Sequence, residues 1–234
     1  MRFQTPLVPA RLLRRYKRFL TDISLEDGQE VTAHCPNPGS MMGLSEPGTR
    51  MFVEPNSDPR KKLKYAWRLV DHQNGHLTGI DTGAANKIVK EALDARKIAL
   101  FKPYKTLRAE VKYGTKSRVD FMLTEAGRKD LYLEVKSVTL MRKQGVAEFP
   151  DSVTARGLKH LQELARVVQM GHRGVLLFLI QRSDCHICEI ARDIDPAYAE
   201  GLEEAVARGV EILCMACHLS EDEIEIDKPV PFGL

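Results

Sequence analysis

The segment RVDFMLTEAGRKDLYLEVK, residues 118–136, decides the architecture of the second half of this 234-residue chain. Apolar and polar residues alternate on both sides of a central turn, a pattern typical of two adjacent β-strands that each bury one face. Asp120 lies on the polar face of the first strand, and Glu134 and Lys136 share the polar face of the second. Because a short turn favours pairing of consecutive strands, we expect these three side chains to lie close together.

A third alternating run, Leu107 to Tyr113, precedes this hairpin and places Glu110 opposite its apolar face. Three converging carboxylates repel one another unless a cation lies between them. Oxygen ligands suit Mg²⁺ or Mn²⁺, so we predict Glu110, Asp120 and Glu134 as metal ligands. With such an ion to activate water and Lys136 to stabilise charge, Asp120, Glu134 and Lys136 are the predicted catalytic residues. The alternative is a solvated strand face on which Glu134 and Lys136 form a surface ion pair.

Short strands and turns fill the first third of the sequence. Strands are predicted at 16–25, 29–34, 50–54, 64–71 and 76–80, with hairpin turns at Asp27-Gly28 and Asn74-Gly75. Five such strands favour a small Greek-key barrel with the OB-fold as the first candidate, although an SH3-like barrel has a similar pattern. The pattern changes near Asp81-Thr82, and we place a domain boundary between residues 1–82 and 83–234.

The second part of the chain alternates between helical and strand-like segments. Helices are predicted at 83–95, 152–170 and 196–208. Strands are predicted at 107–113, 118–124, 131–140, 174–181 and 210–217. This order predicts a mixed α/β domain with helices on both faces of the sheet.

Composition and charge limit the classes of function. The longest apolar run, residues 175–180, is too short to span a bilayer, and the N-terminus lacks the apolar core of a signal peptide. Five cysteines, an odd number, favour free thiols in a reducing compartment, so a cytoplasmic location is expected. Residues 83–182 carry 20 Lys and Arg against 10 Asp and Glu, whereas residues 183–234 carry 3 against 13. The basic segment suits a polyanion such as nucleic acid, but it could equally pair with the acidic end.

Three groups of side chains are candidates for nucleic-acid contact. They are Arg14, Arg15, Lys17 and Arg18 near the N-terminus, His34, Asn37 and Ser40 in a loop rich in proline and glycine, and Arg156, Lys159 and His160 at helical spacing. The basic residues could follow a phosphate backbone, and the loop residues could bond to bases or phosphates. Each group also has a structural alternative, namely solvated charges, a rigid turn and a basic helix face exposed to water.

Two Cys-x-x-Cys pairs, Cys185/Cys188 and Cys214/Cys217, have the spacing of a zinc site. We do not expect zinc, because Cys214 and Cys217 fall in a strand, where residues i and i+3 point to opposite faces. Neither pair lies in the glycine-containing turn that thiolate ligands usually need. Buried thiols are expected instead.

The hairpin carries a resemblance to known nucleases. Asp120 followed by Glu134-Val135-Lys136, after a helix, resembles the core of the PD-(D/E)xK nucleases, with Val119-Asp120 in place of the Pro-Asp of the name. Glu110 resembles the additional acidic residue that many members place ahead of the hairpin.

A wider resemblance covers nearly the whole chain. The stretches that carry it are RYKRFL (15–20), HCPNPGSM (34–41), EVKYG (110–114), LEVKSV (133–138) and FPDSVT (149–154). Together they resemble the sugar fermentation stimulation protein A family. The resemblance implies an N-terminal OB-fold, a nuclease-like C-terminal domain, DNA binding and a role in regulating sugar-utilisation genes.

We therefore predict a two-domain protein, a small all-β OB-fold barrel followed by a mixed α/β domain of the PD-(D/E)xK, restriction-endonuclease-like type. It is expected to bind DNA and to hydrolyse phosphodiester bonds with Mg²⁺ or Mn²⁺. The alternative function is a non-catalytic DNA-binding regulator of sugar-utilisation genes of the maltose type. A hydrolase of a small phosphorylated substrate is least favoured, because it has no use for the basic segment. No membrane partner is expected, and a homo-oligomer remains open.

Overall fold

The first part of the chain forms a closed β-barrel in a computed structural model that describes residues 1–114 and 117–233. Its strands are β1 (Val8–Tyr16), β2 (Leu20–Leu25), β3 (Glu30–His34), β4 (Arg50–Pro55), β5 (Tyr65–Asp71) and β6 (Leu77–Gly79). The sheet order is β3-β2-β1-β4-β5-β6, and an additional β3–β5 pairing closes β1 to β5 into a barrel. The predicted small barrel is confirmed, although its five strands include β1, which was not predicted, and leave out β6, which was.

One strand prediction in the barrel was wrong. The single strand expected at 16–25 is divided by a turn at residues 17–19, which joins β1 to β2 as a hairpin. The first strand was missed because arginines and Pro9 interrupt its alternation, although Ala10 and Leu12 do point into the core. The sequence pattern alone therefore hid both the first strand and the tip of its hairpin.

The second part is a mixed α/β domain with two sheets. Its elements are α1 (Ala84–Asp94), β7 (Thr106–Tyr113), β8 (Ser117–Thr124), β9 (Leu131–Val138), β10 (Leu140–Lys143), β11 (Val146–Phe149), α2 (Ala155–Gln169), β12 (Arg173–Ile180), β13 (Ile187–Ile190), α3 (Pro196–Ala207), β14 (Glu211–Leu219), β15 (Ile224–Pro229) and β16 (Phe232–Gly233). The larger sheet has the order β15-β14-β12-β9-β8-β7, and the smaller one has the order β10-β11-β13-β16. The short strands β10, β11, β13, β15 and β16 were not predicted.

Helices cover both faces of the larger sheet, as predicted. α1 packs on the face that carries Leu133, Val135 and Leu177, whereas α2 and α3 pack on the face that carries Leu176 and Phe178. Because alternate residues of the central strands enter two different cores, β12 is apolar along almost its whole length. Among the described residues, no helix is long and apolar enough to cross a membrane.

The two domains are joined by more than the segment between them. Arg2 forms a bridge with Glu223, and Phe3 donates a backbone hydrogen bond of 3.0 Å to Asp222. The Phe3 side chain packs against a core that α1 and the larger sheet share with Phe52 and Leu69 of the barrel. The first three residues thus lie against the second domain, although the boundary predicted from sequence assigns them to the first.

Candidate metal and nucleic-acid site

The site begins where two neighbouring strands stop pairing. The antiparallel ladder of β8 and β9 runs from Leu123 opposite Leu131 to Phe121 opposite Leu133 and ends there. The next residue of β8 is Asp120. Its Oδ2 accepts a hydrogen bond of 2.7 Å from the backbone N–H of Val135, which has no ladder partner on β8. The side chain of Asp120 therefore takes the place of the lost backbone bond.

A second hydrogen bond fixes the same carboxylate from a helix. Asn86, in the first turn of α1, donates from Nδ2 to Oδ1 of Asp120 over 2.7 Å. The carboxylate is held at both oxygens, once by β9 and once by α1. Asp120 is thus oriented before any ligand arrives.

Glu134 is on β9, close to Asp120 of the neighbouring strand β8, and it is only 2% exposed. Its Oε1 accepts a hydrogen bond of 2.6 Å from Nζ of Lys136 and also contacts Nδ1 of His160, on α2. Its Oε2 is buried and has no hydrogen-bond partner among the described residues. A buried carboxylate oxygen without a partner is costly, so this atom marks a position where a ligand would be favourable.

The environment moves the pKa values of the two carboxyl groups in opposite directions. Burial, together with the nearby charge of Glu134, raises the pKa of Asp120. Burial also tends to raise the pKa of Glu134, but the contacts with His160 and Lys136 outweigh it and lower that pKa. Glu134 is therefore the firmly ionised member of the pair, and Asp120 is the one that protonates more readily.

Lys136 connects this pair to an open cleft between the domains. Its Nζ lies 3.4 Å from Nδ1 of His160 in addition to its ion pair with Glu134. The cleft has a volume of about 620 Å³. It is lined by residues from the barrel, from α1, from β9 and from the segment that leads into α2, among them Arg18, Asn86, Lys136, Val153 and Arg156.

Glu110 is not brought into the carboxylate pair. It is exposed on β7 and has a left-handed backbone with a φ of 54°, which interrupts the β7–β8 ladder opposite Asp120. Among the described residues, no group of three or more His, Cys, Asp and Glu side chains is placed to hold a metal ion. The expected convergence of three carboxylates is thus reduced to two, and a ligand role for Glu110 stays a prediction.

Two of the N-terminal cations are engaged within the barrel. Arg14 forms a salt bridge of 2.7 Å with Asp22. Arg15 donates from Nη2 to the carbonyl oxygens of Asn37 and Gly39 over 2.8 and 2.9 Å. Arg15 consequently stabilises the loop after β3 rather than presenting a free charge.

Lys17 and Arg18 differ from these two arginines. Both are exposed at the tip of the β1–β2 hairpin, and no hydrogen bond or ion pair of their side chains occurs among the described residues. Arg18 also lines the cleft. These two are the N-terminal cations best placed for phosphate.

The loop after β3 has a different role for each predicted residue. Asn37 is 2% exposed; it donates to Ile80 O over 3.0 Å and accepts from the backbone of Gly39 over 2.8 Å. Its amide is engaged within the protein although Asn37 also lines the cleft, and a contact with nucleic acid stays a prediction. Ser40 is exposed but donates to the carbonyl of Asp151 over 2.8 Å, and the ring of His34 is exposed at the barrel surface.

The basic group on α2 is divided between surface and interior. Arg156 and Lys159 are exposed, and Arg156 lines the cleft. His160 is buried in contact with Glu134, so its position supports the carboxylate, and its contact with nucleic acid stays a prediction. The helical period correctly predicted that the three residues share one face of α2. It could not show that the sheet covers the inner edge of that face, where His160 lies.

Several residues of the site were not found by sequence reasoning. Asn86 carries no signal beyond its position in the first turn of a helix, and Asp151 follows a proline in a loop. All five cysteines are free and buried, as expected. Cys214 and Cys217 belong to the two different cores on opposite faces of the sheet.

A closed barrel is joined to a mixed α/β domain, and a half-buried Asp120 and a buried Glu134 lie beside Lys136, which lines the cleft between the domains. These features define the class of protein. Residues 13–80 match the family model described as the SfsA N-terminal OB domain, and residues 83–223 match the sugar fermentation stimulation protein RE domain. The chain therefore belongs to the sugar fermentation stimulation protein (SfsA) family. The OB-fold prediction is confirmed over the SH3-like alternative.

Individual relatives match this chain over nearly the full length of both proteins. A sugar fermentation stimulation protein homolog of Ruegeria pomeroyi is 61% identical over 226 residues, which cover 97% of this chain and 98% of the relative. A homolog of Roseobacter denitrificans is 60% identical over 235 residues and covers both chains completely. The solved structure of Pyrococcus furiosus SfsA in complex with Ca²⁺ matches with a TM-score of 0.88 at 26% identity, covering 100% of this chain and 98% of that one.

Proposed function

We propose that this protein binds DNA and hydrolyses its phosphodiester bonds with Mg²⁺ or Mn²⁺ held by Asp120 and Glu134. The observation that carries the proposal is the buried Oε2 of Glu134, which lacks a partner among the described residues and belongs to the acid next to Asp120. Oxygen donors of this kind suit hard divalent cations. The Pyrococcus furiosus relative is described as a complex with Ca²⁺, another cation that takes oxygen ligands, which supports a cation in this family.

The residues around the pair fit the role of orienting it. Asn86 and the backbone of Val135 hold Asp120, and His160 holds Glu134, so both acids are preorganised. A bound divalent cation would polarise the scissile phosphate and lower the pKa of water. The two acids have opposite pKa shifts, and a cation would remove the repulsion that raises the pKa of Asp120.

Lys136 and Arg156 are the candidates for phosphate contact inside the cleft. The ammonium group of Lys136 has three donors, and one of them is used by Glu134. Lys136 and the exposed Arg156 line the same cavity. Two positive groups at that position would stabilise the additional negative charge that develops on phosphorus-bound oxygens during hydrolysis.

A second candidate function is a regulator that binds DNA without cutting it. The observation in its favour is that Lys136 is already ion-paired to Glu134, with His160 completing the contact. Such a network can be retained to specify a fold. In that case Arg18, Arg156 and the cleft would serve binding alone.

The test is cleavage of end-labelled single-stranded and duplex DNA with Mg²⁺, with Mn²⁺ and with a chelator. Asp120→Ala and Lys136→Ala are compared with Asp94→Ala and Lys143→Ala, which remove exposed charges outside the cleft. We expect metal-dependent cleavage by the wild type and both controls, and DNA binding without cleavage by the two site variants. Binding without cleavage by the wild type under every metal condition would favour the regulator.

A further inference from the structure

Two long, positively charged side chains, Lys17 and Arg18, form the tip of the β1–β2 hairpin, where the turn itself does not require such residues. Lys17 and Arg18 have left-handed backbones with φ of 49° and 64°. Glycine, asparagine and aspartate adopt this region at lower cost than long side chains do. Strained backbone of this kind collects at functional sites, so two cations placed there point to a ligand rather than to the turn itself.

The next residue places an aromatic ring in solvent. Phe19 is 46% exposed, and its ring stacks on that of His34 with centroids 6.4 Å apart and an interplanar angle of 24°. Partial desolvation of the otherwise exposed ring lowers the pKa of His34; Asp81 opposes this effect, and Arg68 and Lys61 add to it. The lowered pKa favours the neutral form of the imidazole, and the two stacked rings lie beside Lys17 and Arg18 at the surface.

This surface adjoins the cleft that Asn86 and Lys136 of the candidate site line. Arg18 lines the cavity together with Lys136 and Arg156, so the hairpin tip forms part of its rim. Val153, on the segment leading into α2, lines the same cavity and is 75% exposed. The rim thus offers apolar surface as well as positive charge, whereas phosphate binding alone would need only the charge.

We propose that Phe19 and His34 form a stacking platform for the unpaired bases of a single-stranded nucleic acid, whose backbone Arg18 guides toward Lys136. The proposal rests on the proposed function, because it assumes that the cleft takes a nucleic acid. Exposed aromatic rings bind bases of any sequence when the base faces are free, and in a duplex those faces are covered by their neighbours. The preferred ligand is therefore a single strand.

Equilibrium binding in the presence of a chelator tests the platform apart from cleavage. Phe19→Ala is compared with Leu13→Ala, which removes another exposed apolar side chain from β1. The probes are labelled oligo-dT and oligo-rU of about 12 nucleotides, within the usual range for one OB-fold, and a duplex of the same length. We expect Phe19→Ala to weaken single-strand binding by about 5- to 100-fold and duplex binding by less than about twofold. Leu13→Ala should change neither, and a loss on either the DNA or the RNA strand supports the platform.

A second variant reports stacking directly. Phe19→Trp adds a fluorescent ring at the platform, while the single native tryptophan, Trp67, is fully buried. We expect wild-type affinity and strong quenching of the new fluorescence by the single strand. Tight single-strand binding by Phe19→Ala, or equal losses for strand and duplex, would overturn the platform alone. No binding of any probe by the wild type would overturn the platform and the proposed function together.

Discussion

Oδ2 of Asp120 lies 2.7 Å from the backbone nitrogen of Val135, at the point where β8 and β9 cease to pair. This contact links the hairpin geometry to the chemistry of the site. Because the strands separate there, an acid on β8 reaches the backbone of β9 one residue beyond Glu134. The same separation lets Asn86 approach from α1.

The first prediction concerns Lys136, which donates to the buried Glu134. In Lys136→Met we expect cleavage to fall by about 100- to 1,000-fold, since a charge that stabilises the transition state is lost. Glu134 keeps His160 as a partner, so the free energy of unfolding should fall by only about 1 to 3 kcal/mol. Single-turnover cleavage and urea denaturation measure the two effects. Lys143→Met, on the exposed end of β10, is the control and should leave both unchanged.

The second prediction is a pH dependence of metal binding. Burial and Glu134 raise the pKa of Asp120 above its usual value of 3.8, so a proton competes with the metal at higher pH than for an ordinary aspartate. In the metal-free protein, a raised folded-state pKa stabilises the fold at low pH, and this stabilisation is lost as the pH rises through that pKa. Mn²⁺ should therefore raise the melting temperature more at neutral pH than at mildly acidic pH.

The matched variant for this experiment is Asp120→Asn. It removes the titrating group and most of the metal affinity, so Mn²⁺ should leave its melting temperature unchanged at both pH values. An equal increase for the wild type at both pH values would contradict the raised pKa. An increase in Asp120→Asn would place the ion elsewhere.

The third prediction concerns the close approach of Gly39 to Asp151. A Cβ at Gly39 would clash with the carboxylate of Asp151, which accepts a hydrogen bond from the backbone N–H of Met41 over 3.3 Å. Gly39→Ala should therefore destabilise the protein by about 1 to 3 kcal/mol, and Asp151→Ala by about 1 kcal/mol. In the double variant the clash is absent, so its loss should be smaller than the sum of the single losses. Additive losses in denaturant titrations would show that the two segments are not in contact.

The fourth prediction tests the contact between the N-terminus and the α/β domain. Phe3 packs against the core that the barrel and the α/β domain share, and the neighbouring Gln4 is exposed. Phe3→Ala should lower the free energy of unfolding by about 1 to 3 kcal/mol, because apolar contacts are lost, whereas Gln4→Ala should change it by less than about 0.5 kcal/mol. Equal effects of the two substitutions would argue against the observed packing.

The chemistry of the hairpin was visible in the sequence because strand alternation depends only on local geometry. The period correctly places Glu134 with Lys136, opposite Leu133 and Val135. It was wrong for the first strand, because Phe121 packs in the core beneath α1 whereas Val119 packs against Val167 of α2. The pattern could not show that β7 changes its backbone at Glu110, since that depends on the local dihedral angle. It therefore overestimated the number of carboxylates that converge.

Contacts between residues that are distant in sequence could not be predicted from periodicity. His160 lies 26 residues from Glu134 in sequence and meets it only because α2 packs across β9. The sequence predicts Asn37 as a surface loop residue, but in the structure it is buried and donates to the carbonyl oxygen of Ile80. Helical and strand periods assign a residue to a face but do not determine which element covers that face.

The most direct test of the central claim is single-turnover cleavage of labelled DNA at saturating protein with Mg²⁺ or Mn²⁺, comparing the wild type with Asp120→Asn. Saturation removes any difference in DNA affinity, so the rate reports the site alone. We expect metal-dependent cleavage by the wild type and a rate at least about 100-fold lower for Asp120→Asn, with DNA still fully bound. Equal rates for the two proteins, or no metal-dependent cleavage of bound DNA by the wild type, would contradict a nuclease centred on Asp120 and Glu134.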